Sequence, residues 1–229
     1  MSPEHQSARK PRVDGVQARE RILSAALRLF VERGYASTPV RDIAQAAGAN
    51  LAAINYYFGD KAGLYRAALF EPVQRAAETS PPFDAPGLTL AQSFDVYMRA
   101  CLQPLGQGAD ALLSVRLRFR ESIEPTGMLQ EEQGMREQMH ARLLALLQRH
   151  LGLAAPDREL QALTVSIFGL IAYPYYGRDK IRAFAPGLLD APDAIEAWAV
   201  RLAGYAAAMV AFEAGRRQSI HPTSHTDPT

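Results

Sequence analysis

The chain has 229 residues, 48% of them hydrophobic and 21% charged, a globular balance that excludes wholesale disorder and fibrous repeats. Its one cysteine, Cys101, excludes an internal disulfide and a cysteine-based zinc site, and a chain of this length needs neither to build a core. The net charge of +1 is unevenly spread: residues 1–70 carry ten Lys and Arg against six Asp and Glu, the remainder fifteen against eighteen, so only the first third favours an anionic partner.

Residues 1–15 are polar, contain Pro3 and Pro11, and read as a disordered arm. Arg9, Lys10 and Arg12 make it either a solubilising tail or a segment that touches phosphates. The start has no apolar core of the secretory kind, and no apolar run approaches the ~18 residues of a membrane span. A soluble, cytoplasmic protein without a membrane partner is expected.

A first helix is expected over 16–33, where Ile22, Ala26, Leu29 and Phe30 repeat at helical spacing. Gly34 supplies its left-handed stop. Thr38-Pro39 reads as a hydroxyl N-cap followed by proline at the first helical position, opening a short helix to about Ala46. Ala47-Gly48-Ala49 breaks it, Asn50 caps a second short helix to Phe58, Gly59 ends that one, and Asp60 caps a longer fourth. The Pro- and Gly-rich stretch 79–87 reads as a linker. Helical patterns follow over 88–105, 110–124, 128–151, 156–173 and 193–216, with breaks at Gly106 and Gly108, Pro125 to Gly127, Pro174, and Pro186 to Pro192. Met135, Met139, Leu143, Leu146 and Leu147 share one stripe of the third of these. Nothing of useful length alternates with period two, so the fold class is all-α. The tail from about residue 217 reads as disordered.

Residues 38–58 give two short helices joined by a tight glycine turn, which is helix-turn-helix spacing. Ala44, Ala47 and Gly48 keep the turn small, and Ile43, Ile54 and Phe58 can face Leu29 and Phe30 of the first helix. Arg41, Leu51, Ala52, Ala53, Asn55, Tyr56 and Tyr57 are left facing outward. Arg and Asn offer the bidentate hydrogen bonding that base edges need, while tyrosine hydroxyls and Lys61, at the next helix start, suit phosphate oxygens.

The run RERILSAALRLFVERGYASTPVRDIAQAAGANLAAINYYFGDKAGLYRAAL resembles, without a gap, the DNA-binding domain of the TetR family of transcriptional regulators. The landmarks are Ile22, Ala25, Phe30, Gly34-Tyr35, Thr38, Val40, Ile43-Ala44, Ala47-Gly48, Ile54, Tyr57-Phe58, Lys61 and Leu64. Asn55 stands where the family often has tyrosine. The resemblance implies base-edge roles for Arg41, Leu51, Ala52, Ala53 and Asn55, and phosphate roles for Thr38, Asn50, Tyr56, Tyr57 and Lys61; the simpler alternatives are that Thr38 and Asn50 only cap helices and that Tyr57 is half core. Further on, the RESIEPT stretch and the basic residues before it resemble the group with a CecR-type C-terminal domain. That implies an all-helical, dimerising regulatory domain with a ligand. The expected organisation is an arm (1–15), a three-helix DNA-binding domain (16–62), a helical-bundle regulatory and dimerisation domain (63–216) and a tail (217–229).

Enzyme readings find little support. Glu137 and His140 have the spacing of one di-iron ligand pair, but bundle sites need two, and His150 has Leu147 three residues before it. Cys101 lies in an apolar helix with no local histidine motif, and no phosphate-cradling glycine loop occurs. No enzyme activity, cofactor or metal is therefore expected. The resemblance implies a ligand-responsive regulator, by family habit a repressor, that binds a palindromic duplex operator as a homodimer; the alternative is a helical small-molecule-binding protein without DNA binding. The helices over 156–173 and 193–216 are expected at the dimer interface, given Ala203, Gly204, Ala206, Ala207, Ala208 and Ala211 with Leu202, Tyr205 and Met209. For an apolar or aromatic effector the candidate lining is Tyr97, Cys101, Phe119, Met139, Phe168 and Tyr175. Arg116 and Arg120, four apart on one face, either orient an anionic group or pair with Glu121 and Glu124.

Overall fold

The computed structural model describes residues 10–78, 80–106, 108–128, 133–191 and 193–220. Of the expected arm (1–15) and tail (217–229), residues 1–9 and 221–229 lie outside them. Among the described residues there are ten α-helices and no strand: α1 (Lys10–Arg33), α2 (Val40–Ala47), α3 (Leu51–Phe58), α4 (Lys61–Glu78), α5 (Leu90–Gly106), α6 (Ala109–Ile123), α7 (Gln133–His150), α8 (Arg158–Tyr176), α9 (Arg178–Phe184) and α10 (Ala194–Ile220). They form two compact units, α1–α4 with α6, and α5 with α7–α10.

The first unit is built on the apolar stripe of α1. Ile22, Leu23, Ala26, Leu27 and Phe30 pack with Ile43 and Ala44 of α2, Ile54 of α3, Leu64, Ala68 and Leu69 of α4, and Leu117 of α6. Full burial of each large side chain contributes about 1.5–3 kcal/mol. Polar ties fix α6 to this core: Ser114 Oγ donates to the Leu69 carbonyl (3.0 Å), Ser24 Oγ to Asp110 Oδ1 (3.0 Å), and Arg120 Nη1 to the Val31 carbonyl (3.0 Å). The last of these satisfies a carbonyl that the end of α1 leaves open. The sequence reading set a boundary at residue 62, whereas α4 and α6 belong to this first unit. Periodicity shows which face of a helix is apolar but not which partner covers it.

Three further boundaries differ from the sequence expectation. Helix α1 begins at Lys10, inside the expected arm, and α10 runs on to Ile220, into the expected tail. Pro174 lies inside α8 rather than ending it; the helix stops two residues later, so the lost amide costs it little further structure. Short α9 carries one buried residue, Ile181, too weak a pattern to read in advance.

In the second unit α5 and α10 pack along each other. Phe94, Tyr97, Met98 and Leu102 are buried on α5, and Ala199, Leu202, Ala203, Ala206 and Val210 on α10. Leu143, Leu146 and Leu147 of α7 are likewise buried, as are Leu160, Ile167 and Ile171 of α8, the helix α7 packs on. By length and composition alone α10 could cross a membrane, because its many alanines raise its mean hydropathy without forming a long unbroken apolar run.

Ion pairs close this unit. Asp157 caps α8 by accepting from the Leu160 amide (2.8 Å) and also receives both Nη atoms of Arg217 (2.6 and 2.8 Å). Arg182 binds Asp190 in the same two-pronged way (2.7 and 2.8 Å). The arginine hydrogen bonds hold Asp157 well below the usual carboxylate range and bring Asp190 down to about 2. A depressed carboxylate stabilises the fold above its unfolded pKa, and that contribution is lost as pH falls through the folded value. Unfolding followed through the single tryptophan, Trp198, is therefore expected to grow easier between about pH 4 and pH 2. Asp157→Asn should lower stability at neutral pH and flatten that acid limb; an unchanged limb would show that the pair contributes nothing.

Candidate nucleic-acid interface

The two short helices are set by backbone chemistry. Pro39, in extended conformation, is the N-cap residue of α2, and no side chain caps it. Thr38 is therefore not the cap that its sequence position suggested. It is fully buried, and its hydroxyl donates to the carbonyls of Gly34 (2.7 Å) and Leu29 (3.3 Å) at the end of α1. Gly34, just past α1, has no helical partner for its carbonyl, and a threonine four residues on can reach it. Its hydroxyl is thus turned inward, away from any phosphate.

At the other end of α2, Gly48 is left-handed (φ 60°, ψ 37°), and the Ala49 amide returns to the Ala44 carbonyl at 2.9 Å. This is the Schellman arrangement. A Cβ on Gly48 would meet nothing within 4 Å, so glycine is required by conformation rather than by the space the sequence reading invoked. Asn50 caps α3 as expected, its Oδ1 accepting from the Ala53 amide at 2.8 Å. Asp60 caps α4 as expected, accepting from the Gly63 amide at 2.7 Å.

With Ile43, Ala44, Ala47 and Ile54 turned into the core, the opposite face is presented to solvent. The Arg41 side chain is 82% exposed, with Asp42 Oδ1 3.6 Å from its Nε. Leu51 is 50% and Tyr56 82% exposed; Asn50, Ala52 and Asn55 are exposed, and Ala53 and Tyr57 half-buried. Tyr56 and Tyr57 meet edge to face, ring centres 5.0 Å apart. A Cβ on Gly15 of α1 would come within 3.3 Å of the Tyr57 hydroxyl, so the small residue there lets that tyrosine lie against α1. Lys61 sits half-buried at the start of α4 with its ammonium 4.5 Å from the centre of the Tyr35 ring. Burial pulls its pKa below the usual lysine value. The ring takes one side of the ammonium, and three donors serve more than one partner.

Sequence reasoning missed the buried carboxylate beneath this surface. Glu121 of α6 is 1% exposed and accepts from the Tyr65 hydroxyl (2.7 Å), the Thr126 amide (2.7 Å) and the Thr126 hydroxyl (2.8 Å). Burial and the neighbouring carboxylate push the Tyr65 hydroxyl far above its ordinary pKa. The RESIEPT stretch flagged these residues only as a resemblance; nothing in its spacing pointed to Tyr65.

Of the effector candidates, the second unit brings Tyr97, Cys101 and Tyr175 together. In the second unit Tyr97 and Tyr175 are buried, and the Tyr175 hydroxyl donates to the Cys101 carbonyl. Phe168 is 51% exposed, because Ile167 and Ile171 take the buried stripe of α8. Met139 is also exposed, one turn before the buried Leu143. Arg116, Phe119 and Arg120 belong to the first unit, where Arg120 pairs with Glu124 (3.1 Å) and the Val31 carbonyl. Polar atoms that sequence reasoning did not single out are Ser93 Oγ, Gln103 Oε1 and Trp198 Nε1, buried on α5 and α10 without a protein hydrogen-bond partner. No group of three or more His, Cys, Asp or Glu side chains fit to hold a metal occurs among the described residues. Glu137 and His140 are exposed on α7, His140 Nε2 lying 3.1 Å from Gln161 Oε1.

A helix-turn-helix that presents arginine, asparagine and tyrosine over an all-α core is the architecture of a helix-turn-helix transcriptional regulator. Comparison with known proteins carries this further. Residues 22–68 match the model of bacterial regulatory proteins of the tetR family, and residues 90–211 match that of the C-terminal domain of the HTH-type transcriptional dual regulator CecR. The chain is 32% identical over 184 residues to the HTH-type transcriptional dual regulator CecR of Shigella flexneri, covering 74% of this chain and 80% of that protein. It is 43% identical over 58 residues to the HTH-type transcriptional regulator AcrR of Shigella flexneri, covering 25% of this chain and 27% of that protein. Among solved structures, a TetR-like transcriptional regulator from Rhodococcus sp. RHA1 superposes with a TM-score of 0.61 at 18% identity, over 85% of this chain and 96% of that one. The SmeT–triclosan complex superposes with a TM-score of 0.59 at 17% identity, over 86% and 90%. The chain belongs to the TetR family of transcriptional regulators, with a C-terminal domain of the CecR kind.

Proposed function

We propose that this regulator is a cytoplasmic repressor that binds a palindromic operator as a homodimer and is released by a small, largely apolar effector held in the second unit. The exposed α2–α3 face carries the DNA part of the reading. In it, Arg41 and Asn55 read base edges in the major groove, Leu51, Ala52 and Ala53 pack against them, and Asn50, Tyr56, Tyr57 and Lys61 meet phosphates. Thr38 serves the helix instead. The effector part is supported by buried Tyr97 and Tyr175, with Ser93, Gln103 and Trp198 as polar points for a ligand to satisfy. A fold neighbour, SmeT, has been captured with triclosan, a small aromatic compound. Release then follows from linkage: an effector weakens DNA binding only by as much as it prefers the non-binding state, and a coupling of ~1–3 kcal/mol changes affinity by about 5- to 150-fold.

Selection of bound duplexes from a random DNA pool tests the reading. Two-fold related half-sites about 34–36 Å apart are expected. Recovery of only asymmetric or single-stranded sequences would refute it. On the recovered operator, Arg41→Ala is expected to cost ~1–3 kcal/mol and relax one base position. Lys61→Ala should weaken all duplexes alike and lower the slope of log K against log salt by about one unit. A changed sequence preference in Lys61→Ala with the slope intact would reverse the two roles.

A further inference from the structure

We propose that Glu121 is a positioning residue for DNA binding: its buried carboxylate, through Tyr65 and Tyr35, sets the placement of the Lys61 ammonium. The inference rests on the DNA-binding reading above. Three donors converge on two oxygens, with Oε2 taking the Tyr65 hydroxyl and Oε1 taking both the amide and the hydroxyl of Thr126. The group acts as an acceptor only. A glutamine of the same shape keeps its oxygen on Thr126 only by turning its NH2 to the Tyr65 oxygen, which reverses that bond and takes the acceptor away from the buried Tyr65 hydroxyl proton.

From Tyr65 the contacts run to the DNA-facing surface. Its ring meets Phe30 edge-on at 4.9 Å and Tyr35 at 4.8 Å. The Tyr35 ring in turn carries the Lys61 ammonium at 4.5 Å. Lys61 and Tyr65 are four apart on α4 and so share one face, with Tyr35 packed against both. Tyr65 thus has its hydroxyl held from below, while its ring fixes the platform on which the lysine rests.

The other oxygen of the carboxylate holds the turn that follows α6. Thr126 is bound to Glu121, and its hydroxyl also accepts from the Met128 amide at 3.3 Å. The chain continues from this turn toward α7 of the second unit. This gives the RESIEPT stretch a physical role: Arg120 ties α6 to the end of α1, Glu121 ties it to α4, and Thr126 fixes the second oxygen of that carboxylate.

The salt slope separates positioning from mere stability, because it counts phosphates neutralised. A labelled duplex recovered by the wild-type full-length protein from a random pool is titrated at several salt concentrations with Tyr65→Phe, Glu121→Gln, Lys61→Ala and the two double variants with Lys61→Ala. Tyr65→Phe keeps the ring and serves if Glu121→Gln does not fold. Tyr65→Phe and Glu121→Gln are expected to lower the slope by about one unit, as Lys61→Ala does, and the double variants to lose nothing further. A wild-type slope in folded Tyr65→Phe, or slope losses that add to that of Lys61→Ala, overturns the inference while leaving the DNA-binding reading intact. Failure of the wild-type protein to bind any duplex overturns both.

Discussion

Gly63→Ala is expected to destabilise the first unit by about 2–4 kcal/mol, combining the usual ranges for overpacking and for a lost N-cap, and to abolish measurable operator binding. A Cβ at this position would lie 2.0 Å from the Phe58 carbonyl oxygen, a backbone atom that no rotamer change can move aside. The corner between α3 and α4 would have to open. The first turn of α4 would then lose the bond from the Gly63 amide to Asp60, made at 2.7 Å. Because Phe58 ends the proposed recognition helix and Lys61 begins the next, both DNA-facing elements would be displaced together. Gly48→Ala is the comparison: it meets no atom within 4 Å and suffers only the left-handed backbone cost of about 1–2 kcal/mol. Urea unfolding and operator titration of the two variants provide the measurement. Equal losses in both would show that the corner yields without strain.

The contrast between these glycines shows where the sequence is legible. Gly34, Gly48, Asn50 and Asp60 act through local backbone geometry, and each was readable from its neighbours in the chain. At Thr38 two local patterns compete: a threonine before a proline satisfies the cap pattern, but the Gly34 carbonyl, four residues back, takes its hydroxyl, with Leu29 as a second and longer acceptor. Gly63 looked unremarkable in sequence, since its constraint is a through-space approach to Phe58. Glu121 is the same case at longer range: its partner Tyr65 lies 56 residues away, and a glutamate in a charged helix reads as solvated surface. Phe168 erred by phase, one position off the Ile167–Ile171 stripe that α8 buries. For Gly63, Glu121 and Phe168 the missing information was which surface covers which face.

Gly204→Arg is expected to convert a dimer into monomers and weaken operator binding by about 10²-fold or more, since two half-sites bound together gain that much over one. Helices α8 and α10 leave an apolar face uncovered. Val165 and Phe168 of α8 and Val200, Tyr205 and Phe212 of α10 are exposed apolar side chains, with Gly169, Gly204 and Ala208 exposed among them. A groove of about 410 Å³ runs between the two helices, lined by Ala162, Leu163, Ser166, Ala208, Met209 and Phe212, with Glu159 and Glu213 also bordering it. An apolar face of this extent calls for a partner. A second copy of the same face fits, because a two-fold interface needs a surface complementary to itself and small residues let helices approach closely. A stable contact of this kind covers about 800 Å² on each subunit. The substitution is a clean one: a Cβ on Gly204 meets nothing within 4 Å in the protomer, so arginine leaves the fold alone and places a charge at the centre of the face. Sedimentation should report half the mass, with the Trp198 unfolding transition extrapolated to the monomer unchanged. A variant that retains dimer mass and wild-type affinity would move the interface elsewhere on the molecule.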